Sequence, residues 1–370
     1  MHFFLYIING SGLGKSWTGF YACNRLRLQF PNDLTYSICI DFSNGSRYID
    51  IDSHLDIEVS FGLRVASCFL NVPWLSLYEK YKNSLSNLKF NNVMEWFSKQ
   101  YRRISNNQGQ IFFGIHLDEI QLNSTFSQKI LHIIASFMCR TVEKEISDSS
   151  RFNIVVFPIL TGTSSKNLRM AITDHGSLYI DLRPFTLKES FKFLNSNIPN
   201  FNCEDQNKRF QRTVMSMGGI PRLLERFAQY IKSEVNIKFL DHIITSTKTE
   251  ISCIYQIGEF WMQTCQTIKN VKMIIAMSIS GKLVDLTTKL PDNELEIEDV
   301  VKGGIIFLKK SPYGYYITYP LLILEILNEC FNFTTLNLME PLSPDWSWNK
   351  FVEFEAEFER LKNNSYVTSG

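Results

Sequence analysis

Asn9-Gly-Ser-Gly-Leu-Gly-Lys-Ser16 gathers three glycines, a lysine and two hydroxyls into eight residues. Those residue types in that order suit the holding of a phosphate chain. Small residues let backbone N–H groups approach phosphate oxygens, a lysine reaches the β and γ phosphates, and a hydroxyl holds Mg²⁺. Gly10, Gly12, Gly14, Lys15 and Ser16 supply these parts, with Asn9, Ser11, Leu13 and Trp17 completing the loop and the turn that follows. The pattern Gly-x-x-x-x-Gly-Lys-Ser/Thr is broken only at its first position, where Asn9 stands for Gly; Asn is the next most tolerant of a left-handed backbone. The bland alternative is a glycine-rich strand-to-helix turn that holds nothing.

A phosphate loop of this kind needs a carboxylate at the tip of a second strand to organise Mg²⁺, and often a neighbour to polarise water. Ile111-Phe-Phe-Gly-Ile-His-Leu-Asp118-Glu119 offers both: Asp118 for the metal through its water shell, Glu119 to orient the attacking water. For the two motifs to act together, loop and acidic strand end must lie side by side in one sheet. Alternation puts His116 on the face of Asp118 but inside the strand, as a core histidine with its hydrogen bonds satisfied. Further on, Pro158-Ile-Leu-Thr161-Gly-Thr163-Ser-Ser165 ends a strand in hydroxyls, so Thr161 or Thr163 would face the γ-phosphate, or else cap the next helix. Gly218-Gly-Ile-Pro221-Arg222 has proline where a helix start tolerates it and an arginine able to reach toward a nucleotide; alone it would be punctuation between two helices.

The elements that must position these residues follow from hydrophobic periodicity. Apolar runs at Phe3 to Ile8, Tyr36 to Phe42, Ile111 to Leu117, Ile154 to Leu160 and Leu178 to Leu182 predict five strands. The first four lack polar alternation, as parallel strands covered on both faces do. Trp17 to Gln29, Val59 to Phe69 and Phe126 to Glu145 read as the covering helices, and the more polar Asn83 to Gln110 as a helix with exposed ends. The fold class is α/β: a doubly wound, mostly parallel five-stranded sheet.

Beyond Leu182 the helical pattern takes over at Leu187 to Asn195, Asp205 to Met217, Arg222 to Ser233 and Phe239 to Thr264. Then comes a helix from Val271 to Ile279, and two apolar runs flanking Ser311-Pro312-Tyr313-Gly314 predict a hairpin. With the closing Leu321 to Phe331 helix this resembles a winged helix. The expected organisation is a phosphate-loop core over 1–183, a helical lid over 184–265 and a winged-helix-like domain over 266–335. An acidic, aromatic tail helix over 336–370, with Trp346 and Trp348, reads as the opening of a further C-terminal domain.

Among 370 residues, 38 Lys plus Arg nearly balance 37 Asp plus Glu, so the total charge exerts no strong pull on nucleic acid. The eight cysteines are scattered without zinc-ligand spacing and read as reduced thiols, mostly core filler. No apolar run reaches membrane-spanning length, and the opening strand lacks the basic start and cleavage site of a signal peptide, which predicts an intracellular protein, cytoplasmic or nuclear, with no membrane partner. No Asn-Lys-x-Asp guanine-reading motif follows a strand, which favours ATP over GTP. Three functions fit these motifs: a Mg²⁺-dependent, ATP-binding and hydrolysing switch; a nucleotide-independent module that contacts DNA or protein through the winged-helix-like region; or an oligomeric ATPase motor on nucleic acid, for which Arg140 and Arg151 lie in the stretch an arginine finger would come from. Lys302, Lys309 and Lys310 near the hairpin would serve the second.

The order Gly-Ser-Gly-Leu-Gly-Lys-Ser, then Leu-Asp-Glu-Ile-Gln121, then Thr-Gly-Thr, then Gly-Gly-Ile-Pro-Arg, then a hairpin leaving through Tyr319-Pro320-Leu-Leu, resembles the AAA-related P-loop ATPase module of Crinkler effectors and retrotransposon-hot-spot proteins. The resemblance spans about residues 1 to 335. It implies a P-loop NTPase core, ATP and Mg²⁺ as ligands, Lys15 and Ser16 on phosphate and metal, Asp118 and Glu119 as the Walker B pair, and Arg222 as a lid-domain sensor. A nuclease-like domain often follows in such proteins; Trp348-Asn-Lys-Phe-Val-Glu-Phe-Glu355 is similar to its opening helix. The chain ends before the catalytic strands of such a domain, so no nuclease activity is expected.

Overall fold

The structure is a computed structural model; it describes residues 3–8, 12–31, 33–106, 109–120, 124–147, 154–162, 176–180, 182–233, 240–258, 265, 267–290, 295–301, 306–334 and 356–365. Asn9, Gly10, Ser11, Thr163, Lys302, Trp346 and Trp348 lie outside the described residues. Packing divides the chain into two units, Met1–Ile8 with Lys15–Leu182, and Asn9–Gly14 with Arg183–Gly370.

In the first unit β1 (Phe3–Ile8), β2 (Leu34–Asp41), β3 (Ile111–Asp118), β4 (Ile154–Gly162) and β5 (Gly176–Ile180) form one sheet in the order β2-β3-β4-β1-β5. Every pairing is parallel. The uninterrupted apolar runs do what such runs must: β3 is buried at all its positions. At the edge, β5 is exposed over most of its length. The expectation that the loop strand and the acidic strand lie side by side is wrong. β4 is inserted between β1 and β3, pairing Ile7 and Asp118 each with Thr161.

The helices are α1 (Lys15–Gln29), α2 (Asp50–Ser53), α3 (Ile57–Leu70), α4 (Trp74–Tyr81), α5 (Phe90–Ser105) and α6 (Ser124–Ser147). The polar stretch expected as a single helix over Asn83 to Gln110 is instead a 3₁₀ turn, Leu85–Leu88, followed by α5. Its Phe90, Val93, Met94 and Phe97 make a narrow buried stripe at helical spacing, which the surrounding polar residues mask in the sequence. Phe97 stacks on Phe69 of α3 at 4.0 Å, and both rings meet Tyr36 and Phe113 of the sheet, so one aromatic cluster ties α3 and α5 to β2 and β3.

An ion pair is sealed inside this unit. Arg64 of α3 is fully buried and meets both oxygens of Asp52 at 2.8 Å. It also donates to the carbonyls of Ser46 and Arg47 at 3.0 and 2.8 Å, fixing the segment that leaves β2. Trp74 stacks under the guanidinium with its centroid at 4.2 Å. Removing one partner of such a pair strands the other charge in a dry interior. Arg64→Ala is expected to lower stability by about 3–5 kcal/mol in urea unfolding.

The second unit begins with α7 (Leu187–Asn197), α8 (Lys208–Ser216), α9 (Pro221–Ser233) and α10 (Leu240–Tyr255). α10 is shorter than the run expected to Thr264, because Gln256 and Gly258 take positive φ and stop it. There follow α11 (Ile268–Ser280), β6 (Leu283–Val284), α12 (Ile297–Val301), β7 (Phe307–Ser311), β8 (Gly314–Thr318) and α13 (Leu321–Phe331). The predicted hairpin is present with Pro312 and Tyr313 at its tip, and β6 joins it as an antiparallel sheet in the order β6-β8-β7. Gly218 and Gly219 are both left-handed, at φ 59° and 69°. A Cβ on Gly219 would lie 1.9 Å from the Phe185 carbonyl oxygen, and one on Gly218 would lie 3.2 Å from the Pro320 ring.

None of the eight cysteines forms a disulfide. Cys23, Cys203 and Cys265 are buried, and Cys139, Cys253 and Cys330 are exposed, so core filling describes only part of the set. Among the described residues no helix is long and apolar enough to cross a membrane.

Candidate nucleotide-binding site

The described part of the glycine loop has the backbone that phosphate holding asks for. Gly12 and Gly14 sit at φ 84° and 83°, where any side chain costs about 1–2 kcal/mol. α1 begins at Lys15, and the start of a helix carries partial positive charge that favours an anion. Lys15 is buried at 5 % exposure, whereas Ser16 is half-buried and its hydroxyl makes no hydrogen bond among the described residues. Trp17 is 69 % exposed and stacks on Tyr21, with ring centroids 5.4 Å apart.

At the neighbouring strand ends Asp118 is buried and Glu119 half-buried. Glu119 is left-handed at φ 52°, a conformation that costs a non-glycine residue about 1–3 kcal/mol and concentrates at functional sites. Its N–H donates to the Thr161 carbonyl at 2.9 Å, which locks the turn. The Thr161 hydroxyl donates to Asp118 Oδ1 at 2.5 Å. Among the described residues no group donates to Asp118 Oδ2. Thr161 is fully buried and its one proton is taken up, so it is not the free γ-phosphate donor that its place in the sequence suggests.

His116 corrects a second expectation. It is fully buried, and Nε2 meets Thr161 Oγ1 at 2.8 Å, but among the described residues Nδ1 has no hydrogen-bond partner. It is therefore only half satisfied. Burial holds its pKa below the ordinary histidine value, against the upward pull of Asp118 and Asp41. Cys39, its register partner on β2, is pushed up to about 12 by burial and by the same two carboxylates. The imidazole lies under α1, with Phe20 edge-on at 5.2 Å. At Gly19 a Cβ would fall 2.3 Å from Nε2. The glycine costs α1 some helix propensity but admits the ring.

Of the other expected site residues, Arg222 lies in the first turn of α9, within the second unit. Its N–H donates to the Gly12 carbonyl at 3.2 Å, satisfying one of the orphan donors of that helix start. Its guanidinium lies 5.8 Å from the ring centroid of Tyr255. A Cβ on Gly12 would stand 2.8 Å from the Tyr255 hydroxyl, which is buried and makes no hydrogen bond among the described residues. The sequence held no sign of Tyr255 or of the His116 contact: both depend on long-range pairing. Thr163, Asn9, Gly10 and Ser11 are outside the described residues.

Mg²⁺ prefers hard oxygens and keeps several waters, needing one or two protein ligands beside phosphate. Ser16 Oγ and Asp118 Oδ2 are oxygens of that kind, and neither is engaged elsewhere among the described residues. The donor set fits. No cluster of three or more His, Cys, Asp or Glu side chains suited to a transition metal occurs among the described residues.

No family model matches the chain, and no curated protein sequence does. Among solved structures, a Walker-type ATPase of Pyrococcus abyssi matches with a TM-score of 0.51 at 17% identity, over 88% of this chain and 91% of that one. The fold is that of a P-loop NTPase. Two fainter likenesses are the Orc1 protein of Aeropyrum pernix in complex with DNA and a RuvB variant of Thermotoga maritima. The first has a TM-score of 0.40 at 14% identity over 88% and 86% of the two chains. The second has 0.31 at 12% over 85% of each.

The P-loop fold brings α1, β3 and β4 together around one imidazole, and this sets a test. Gly19→Ala would improve helix propensity, yet overpacking at the ring is expected to outweigh it and lower stability by about 1–3 kcal/mol in urea unfolding. A variant as stable as the wild type would show that the ring can move aside.

Proposed function

We propose that the chain binds ATP with Mg²⁺, hydrolyses its terminal phosphoanhydride and serves as a nucleotide-controlled switch. The observation that carries this reading is that, within the first unit, Lys15 and Ser16 open α1 behind β1, while β3, two strands along the same sheet, ends in Asp118, whose Oδ2 is engaged by no group among the described residues. Lys15 neutralises charge on the β and γ phosphates, and backbone N–H groups of the loop cradle them. Ser16 and Asp118 would hold Mg²⁺, which would supply charge neutralisation for the β and γ phosphates. Glu119 orients a water toward the γ-phosphorus and accepts its proton as the bond to the bridging oxygen breaks. Trp17 presents an exposed aromatic face for the base. Arg222 and Thr163 complete the reading as lid sensor and γ-phosphate sensor.

Assignment to the ATPase modules of Crinkler and retrotransposon-hot-spot proteins belongs to the same proposal. Its support is that the two motifs that narrow the family meet in space, Gly218 against Pro320. We read α11 through α13 as a winged helix and the place for a DNA or protein partner. Lys309 and Lys310 are exposed on β7, paired with Tyr316 and Tyr315, and Tyr313 at the turn is 85 % exposed. These are the residue types that meet phosphates and stack on bases.

Calorimetry of ATP with Mg²⁺ tests the reading. Lys15→Ala is expected to abolish measurable binding. Glu119→Gln is expected to keep binding while phosphate release falls by about 10²- to 10⁴-fold. Wild-type protein that binds no ATP, yet binds DNA equally with and without it, would replace the switch with a nucleotide-independent module.

A further inference from the structure

Thr161 Oγ1 has three polar neighbours and one proton. Asp118 Oδ1 lies at 2.5 Å, His116 Nε2 at 2.8 Å and the Leu117 carbonyl oxygen at 3.5 Å. The carboxylate is the closest acceptor and the charged one, so the hydroxyl proton goes there. Oγ1 then has only lone pairs left for His116, and Nε2 must carry a proton to meet it. The opposite tautomer would direct the hydroxyl proton at Nε2, press an oxygen lone pair against Asp118 Oδ1, and leave a buried Nδ1–H with no acceptor. In the Nε2–H form the unpartnered Nδ1 is a bare lone pair, a smaller loss than an orphaned donor and a carboxylate without its hydrogen bond.

We propose that His116 is a positioning residue for the metal carboxylate: a one-way donor chain, His116 Nε2–H to Thr161 Oγ1–H to Asp118 Oδ1, holds Asp118 with Oδ2 turned free for Mg²⁺. Each donor in the chain polarises the next. The ring is in turn held by Gly19 and Phe20 of α1, the helix that carries Lys15 and Ser16. One imidazole thus ties the phosphate-binding helix to the metal carboxylate through the inserted strand. This role rests on the reading of Asp118 as the Mg²⁺ ligand.

Two measurements test it. In nucleotide-free protein with ¹⁵N-labelled imidazoles, the His116 signals, identified by their loss in His116→Gln, are expected to report a neutral ring with the proton on Nε2. They should shift in Thr161→Val. Separately, the Mg²⁺ concentration that half-saturates ATP binding is expected to rise about 10-fold in His116→Leu and in Thr161→Val, as partners behind a metal ligand cost when removed. Metal-free ATP binding should stay near wild type. Thr161→Ser and His116→Gln, which keep the donors, should recover most of the Mg²⁺ response, and the double variant should be no worse than either single change. A proton on Nδ1, an unchanged Mg²⁺ response in folded single variants, or additive effects would overturn the proposal. A wild type that shows the Nε2–H ring but no Mg²⁺-dependent ATP binding would instead defeat the nucleotide reading, and the metal role with it, while leaving the donor chain standing.

Discussion

Strand β4 stands between the strand that leads into the glycine loop and the strand that ends in Asp118 and Glu119. Adjacent parallel strands run about 4.8 Å apart, so one inserted strand sets the two motifs about 10 Å apart across the sheet. The inserted strand also has to end in something that does not compete for the cation. Thr161 meets that demand: it is neutral, buried, and spends its proton on Asp118.

Local costs concentrate around this strand end. Glu119 holds a left-handed backbone, α1 carries a glycine in its interior, and His116 keeps one nitrogen unpartnered. The glycine and the imidazole depend on each other, since a Cβ at Gly19 would fall 2.3 Å from Nε2. Together they place a carboxylate, a second carboxylate and a lysine-bearing helix against one another. The surrounding packing can sustain such strain because it is tightly determined elsewhere, by the Phe69–Phe97 stack and by the sealed Arg64–Asp52 pair that fixes the segment leaving β2.

Much of this was legible in the sequence, for identifiable reasons. β1 and β3 could be read almost to the residue because a strand covered on both faces is apolar throughout, and the glycine loop because its chemistry is local. Strand order was not legible: nothing in the run Ile154 to Leu160 says that it pairs with both β1 and β3. The roles of Thr161 and His116 were lost with it, since both depend on what lies across the sheet. α5 was blurred because its buried stripe is narrow, and α2 and α4 are too short to show a period. The left-handed Glu119 left no trace, as nothing in its side chain demands that backbone.

The contact between Gly12 and α9 bears on how a switch of this kind would work. A peptide bond is planar and trans, so its C=O and N–H point opposite ways. The Gly12 carbonyl accepts from the Arg222 N–H, which turns the N–H of Leu13 in the same peptide away from α9. The first turn of α9 therefore sets the direction of one loop N–H, a donor of the kind the proposed phosphate site would call on. Gly12 is suited to that place twice over, by its positive φ and by the closeness of Tyr255 and Arg222, where a Cβ would collide. A phosphate that pulled on the loop N–H groups would rotate the same peptide against the first turn of α9. Movement would pass through one rigid plane, with no side chain needed to carry it.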